Sequence, residues 1–98
     1  MNIGNPQYFA QKPISFFREV LACTVAPSLL NNNNIHKDIR NRAQYYLDHF
    51  GSTGGYTASC GNQLVQQNIA AFLEKRDNFA ADPNHIFVTN GASSGISL

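Results

Sequence analysis

Apolar residues recur along the chain in two patterns. Ile14, Phe17, Leu21, Val25 and Leu29 lie three or four apart, the stripe of an amphipathic helix beginning just after Pro13. Pro27 has no amide to donate to a helix interior and predicts a kink or an end there. Ile35, Ile39, Ala43, Tyr46, Leu47 and Phe50 repeat the spacing, with Gly51 where a left-handed C-terminal cap belongs. A third helix is predicted from about Asn62 to Asp77, with Leu64, Val65, Ile69, Phe72 and Leu73 on one face. The pattern then changes. Ile86-Phe87-Val88-Thr89 is β-branched and aromatic and reads as a short buried strand feeding a turn of small residues, Gly91 to Ser94.

The stretches between these elements are polar or rich in glycine. Met1 to Gln11, with Gly4, Asn5 and Pro6, has no helical period and suits a turning backbone. Asn31 to Asn34 is a run of four asparagines, which favour turns and helix caps by bonding their own backbone. Gly51 to Gly61 holds four glycines around Tyr56, too flexible and polar for a core element, so its aromatic serves as an anchor or a contact. "ADPN" turns the chain into the strand.

One strand makes no sheet, and Ser94 to Leu98 supply barely one turn of helix, short of the roughly 12 residues at which an isolated helix becomes marginal. The order of elements therefore reads as the opening of a larger α/β domain. At 98 residues the chain would bury only roughly two-thirds of its unfolded surface. A net charge of +1 leaves no footprint for nucleic acid or acidic membranes, and no apolar run approaches a membrane span. Met1 is followed by polar "NIGNPQ", so no secretory leader is expected. Cys23 and Cys60 lack CxxC spacing and read as free thiols in a reducing compartment. His36, His49 and His85 have no ligand spacing and read as structural or surface residues, with no metal site.

The candidate chemistry lies at the end of the chain. If Gly91, Ala92 and Ser93 form the turn, their amides open a helix where unpaired donors favour an anion. The hydroxyls of Ser93 and Ser94 either donate to phosphate oxygens or simply cap the helix, and this stretch alone favours Ser93 as an ordinary N-cap with no ligand. A Walker loop is excluded because no lysine follows the glycines, and Gly91 with Gly95 gives GxxxG instead of the dinucleotide GxGxxG. Without a GxSxG elbow, a serine hydrolase is not expected.

Five blocks, "NIGNPQ", "APSLL", "GGYTASCGNQL", "LEKRD" and "DPNHIFVTNGASSGI", in this order and at these separations, resemble the N-terminal part of the alanine aminotransferase family. The resemblance covers nearly the whole chain and implies an N-terminal fragment of a fold-type-I, pyridoxal 5'-phosphate-dependent transferase. Residues 1–12 would be a segment near the substrate site and residues 13–98 the incomplete start of the large cofactor-binding domain. It implies that Gly91, Ala92 and Ser93 cradle the cofactor phosphate. Tyr56 would reach across a homodimer to the phosphate of the neighbouring subunit, the alternative being that it packs within its own loop. Gly4 would lie close to the substrate carboxylate, although a turn glycine before Asn5-Pro6 needs no ligand to explain it. One departure is that a family arginine is Gln66 here, which removes a charge at that position.

The activity implied is transfer of an amino group between L-alanine and 2-oxoglutarate, giving pyruvate and glutamate, in the cytoplasm or alternatively the mitochondrion. The Schiff-base lysine is expected outside this chain: Lys12, Lys37 and Lys75 lie in no such motif, so no catalytic residue is assigned and the fragment is expected to be inactive. The alternatives are another pyridoxal-phosphate-dependent aminotransferase or lyase, a non-catalytic dimer-interface fragment, and a nucleotide-binding α/β domain.

Overall fold

The computed structural model describes residues 4–51, 53–56 and 58–98. Residues 1–3 of the expected N-terminal segment, and Ser52 and Thr57 of the glycine-rich loop, lie outside the described residues. The chain divides into two compact units, Met1–Gly54 and Gly55–Leu98.

In the first unit, residues 6–10 form a turn closed by Phe9 N donating to Pro6 O at 3.0 Å. Helix α1 runs Ser15–Val25, and Pro27 ends it as its chemistry requires, opening a 3-10 turn over Pro27–Asn31. The asparagine run is a loop in which Asn34 N donates to Asn32 Oδ1 at 2.9 Å. Helix α2 runs Lys37–Phe50. His36 Nδ1 accepts from Asp38 N at 3.1 Å to cap its start, and Gly51 closes it at φ +75°. Along α2, Tyr46 stacks on Phe50 with ring centroids 5.6 Å apart, the i, i+4 contact that supports a helix surface.

The core of this unit joins α1 to α2 through Cys23, Ile39 and Ala43, with Val20, Leu29, Leu30 and Ile35 packed against them. This corrects the expected face of α1. Phe17 and Leu21 of the predicted stripe are 64% and 62% exposed, while Cys23 and Thr24 are buried. "SFFREVLACTV" is apolar on more than one side, so the spacing alone did not select the face that α2 covers.

In the second unit, helix α3 runs Gln63–Asp77, capped by Asn62 Oδ1 accepting from Leu64 N at 2.9 Å and closed by Asn78 in the left-handed region. A 3-10 turn over Pro83–His85 comes next, with Asp82 Oδ1 accepting from Asn84 N at 2.9 Å. Helix α4 is short, Ala92–Ile96. The most buried residues of α3 are Gln66 and Ala70, whereas Phe72, on the predicted apolar face, is 60% exposed. The other residues of that face, Leu64, Val65, Ile69 and Leu73, are half-buried.

The strand expected over Ile86 to Thr89 does not form. Ile86 is extended, at φ −107° and ψ 126°, but among the described residues no second strand lies beside it. Val88 N donates to Cys60 O at 2.8 Å instead. A sheet requires a neighbour to ladder against, and the described residues are helical or irregular, without the β part of the expected α/β fold.

Candidate functional site

The candidate turn is built in the Gly55–Leu98 unit from two irregular segments held against α3. The first ends in a tight turn, Gly61 N donating to Ala58 O at 2.9 Å. Gly61 is required here for two reasons. Its φ is +106°, and a Cβ on it would lie 2.6 Å from Val88 Cβ and 2.9 Å from Val88 Cγ2. The two backbones approach closely because there is no side chain between them. The second segment is residues 86–91. Gln66, 5% exposed, donates from Nε2 to Ile86 O at 2.6 Å and reaches Cys60 O at 3.4 Å.

The turn itself is tight. Gly91 N donates to Thr89 O at 2.9 Å, and Thr89 Oγ1 donates to Gly91 O at 3.0 Å. Gly91 has φ +88° and ψ 166° with open space where a Cβ would point, a conformation that favours glycine. The amides of Ala92, Ser93 and Ser94 then open α4 with no intrahelical acceptor. Ser94 Oγ donates to Asn90 O at 3.3 Å, whereas the Ser93 hydroxyl makes no hydrogen bond among the described residues. The alternative of Ser93 as an ordinary side-chain cap is not what forms: the N-cap is Gly91, and no side chain caps α4.

Beside this turn is a half-open cleft of about 510 Å³. Ser59, Asn62, Thr89, Asn90 and Ser94 give it a polar wall, and no charged side chain lines it. Of the turn, Asn90 and Ser94 line the cleft, whereas Gly91, Ala92 and Ser93 do not. A five-residue helix carries little macrodipole, so the donors themselves supply the attraction for an anion. The turn thus offers first-turn amides without an intrahelical acceptor, the Ser93 hydroxyl and the bare Gly91 backbone.

The other expected site residues lie apart from the turn. Tyr56 is fully exposed and does not pack within its own loop, and it does not line the cleft. Gly4 belongs to the Met1–Gly54 unit, is exposed, and has nothing within 4 Å of where a Cβ would be. Lys12, Lys37 and Lys75 are all exposed. Cys23 is buried, Cys60 is half-buried, and both thiols are free. No group of three or more His, Cys, Asp or Glu among the described residues could hold a metal, and no described helix is long and apolar enough to cross a membrane. The shifted titrations lie away from the turn. Arg76 donates to Asp77 at 2.7 and 2.9 Å; this bond holds the Asp77 carboxyl below its usual range and raises Arg76.

Sequence reasoning missed Gln66 and Gly61 as parts of the site. Gln66 stood out only as a missing charge, yet its neutral carboxamide is the group that reaches both flanking segments. A polar residue followed by Ala70 one turn later, both on the buried side of α3, was the available signal.

No family model matches the chain, and no solved structure matches it significantly. Curated proteins do match. Alanine aminotransferase 1 of Homo sapiens is 43% identical over 98 residues, covering 97% of this chain and 20% of that protein. Alanine aminotransferase 2, mitochondrial, of Arabidopsis thaliana is 47% identical over 103 residues, covering 99% of this chain and 19% of that protein. Alanine aminotransferase 2-like of Danio rerio is 43% identical, covering 97% of this chain and 18% of its own length. Along nearly its whole length the chain is similar to alanine aminotransferases, which are enzymes, and it spans 18 to 20% of the length of these relatives.

Proposed function

We propose that the chain is the cofactor-phosphate-binding part of an alanine aminotransferase, which moves an amino group between L-alanine and 2-oxoglutarate to give pyruvate and glutamate. The observation that carries this reading is the match to alanine aminotransferases over 97 to 99% of the chain. The geometry of the turn supports it, since the match includes a segment that offers unpaired donors to an anion. Such turns suit many pyridoxal-phosphate enzymes, so the choice of alanine rests on the relatives.

Pyridoxal 5'-phosphate, when bound, supplies the electron sink that amino-group transfer needs. The chain's own residues bind and orient. The amides of Ala92 and Ser93 and the Ser93 hydroxyl donate to phosphate oxygens, and Gly91 lets the backbone approach them. Tyr56, fully exposed, offers its phenol to the phosphate of a second subunit in a homodimer. Gly4, within residues 1–12, leaves room for the substrate carboxylate. None of Lys12, Lys37 and Lys75 carries the cofactor, so the 98 residues alone turn nothing over. The workplace is the cytoplasm, with the mitochondrion as the alternative, since Arabidopsis and Dictyostelium relatives are named as mitochondrial.

The test is pyruvate formation from L-alanine and 2-oxoglutarate with added cofactor, by the purified 98-residue chain and by a longer chain that contains it together with the cofactor-bearing lysine. Activity is expected only from the longer chain. Turnover by the 98 residues would refute their inactivity, and a longer chain that prefers another amino acid would refute the assignment to alanine.

A further inference from the structure

Among the described residues of the Gly55–Leu98 unit, Gln66 is the most deeply buried polar side chain. Its Nε2 serves two backbone carbonyls, Ile86 O at 2.6 Å and Cys60 O at 3.4 Å, in segments that no sheet ladder satisfies. The same Cys60 carbonyl accepts Val88 N at 2.8 Å. One carboxamide on α3 thus joins the segment that follows Tyr56 to the segment that leads into Gly91. The contact between Gly61 and Val88 leaves these two segments little room to slide.

We infer that Gln66 is a positioning residue for the phosphate turn: by donating to both carbonyls it ties residues 58–61 to residues 86–88, so that the Ala92 to Ser94 amides are preset for an anion and the two segments order together with its binding. This rests on the reading of Gly91 to Ser93 as the phosphate cradle. The donor performs this role, and bulk alone does not. Methionine has nearly the volume of glutamine without its N–H groups, whereas arginine keeps donors at the end of a longer stem.

The experiment is NMR on the full 98-residue chain with inorganic phosphate as the probe, comparing wild type, Q66M and Q66R. In Q66M, exchange of the Val88 amide is expected to quicken by about five- to 150-fold, the effect of leaving a buried carbonyl unpaired, and the phosphate midpoint read at the Ala92 to Ser94 amides rises. In Q66R both readings return toward wild type. A residue that merely fills space predicts the reverse: Q66M unchanged and Q66R disruptive. Wild type provides a check that needs no variant to fold. If order and binding are linked, phosphate at ten times its Kd slows Val88 exchange by up to about elevenfold, and no slowing overturns the positioning role. A phosphate response that Q66M leaves unaltered overturns that role alone. No phosphate response at Ala92 to Ser94 in wild type overturns the cradle itself, and the positioning role with it.

Discussion

Replacing Gly61 by alanine adds a single methyl group where the Gly61 backbone meets Val88. That carbon would sit 2.6 Å from Val88 Cβ and 2.9 Å from Val88 Cγ2, at a φ of +106°. Two costs combine. Holding a non-glycine residue in that region of φ costs of order 1–3 kcal/mol, and forcing an extra methyl into occupied space costs typically about 1–3 kcal/mol more. Gly91→Ala serves as the control within the same unit, because its φ is +88° but nothing lies within 4 Å of the added carbon. The difference between the two variants isolates the clash. Read as exchange of the Val88 amide, whose acceptor Cys60 O is next to Gly61, that difference is about five- to 150-fold faster exchange in G61A than in G91A. Val88→Gly removes the obstructing side chain, so in the G61A background it should recover part of the loss, a coupling of about 0.5–3 kcal/mol. Equal exchange in G61A and G91A, or no coupling to position 88, would refute the close approach.

Substitutions elsewhere in the two units have equally definite outcomes. Ile39→Ala in the core between α1 and α2 should destabilise the Met1–Gly54 unit by about 2–5 kcal/mol in chemical denaturation, and a loss well under that range would mean the core is not packed as described. Asn62→Ala removes the cap on Leu64 N and should cost about 1 kcal/mol, read as increased exchange in the first turn of α3. Ser93→Ala should weaken binding of pyridoxamine 5'-phosphate by about tenfold to 150-fold, the worth of one hydrogen bond to a charged group, while leaving far-UV circular dichroism unchanged.

The parts of the fold that were legible from sequence are those fixed by local chemistry. Pro27 ends α1, Gly51 closes α2, α3 begins beside Asn62, and "ADPN" turns the chain at Pro83–His85. Each effect acts within a few residues, so a single sequence carries it. The exposed and buried faces were not legible in the same way. Leu21 is exposed and Cys23 buried because of where α2 lies, and Gln66 is buried because two backbone carbonyls need a donor. The run Ile86 to Thr89 has the composition of a strand, but strand formation depends on a neighbour and not on the run itself. In the candidate site, Gly91 to Ser93 could be read from small residues after an apolar run. The Gly61–Val88 contact joins residues 27 positions apart, and no local pattern signals it.

Titrating the 98-residue chain with pyridoxamine 5'-phosphate, and in parallel with pyridoxamine, while following backbone amide shifts, separates the phosphate from the ring. Neither compound carries an aldehyde, so the exposed Lys12, Lys37 and Lys75 do not react with them. A phosphate cradle at the start of α4 requires saturable shifts at Ala92, Ser93 and Ser94 with the phosphorylated compound and none with pyridoxamine. Equal responses to both compounds, or shifts confined to other residues, would contradict it.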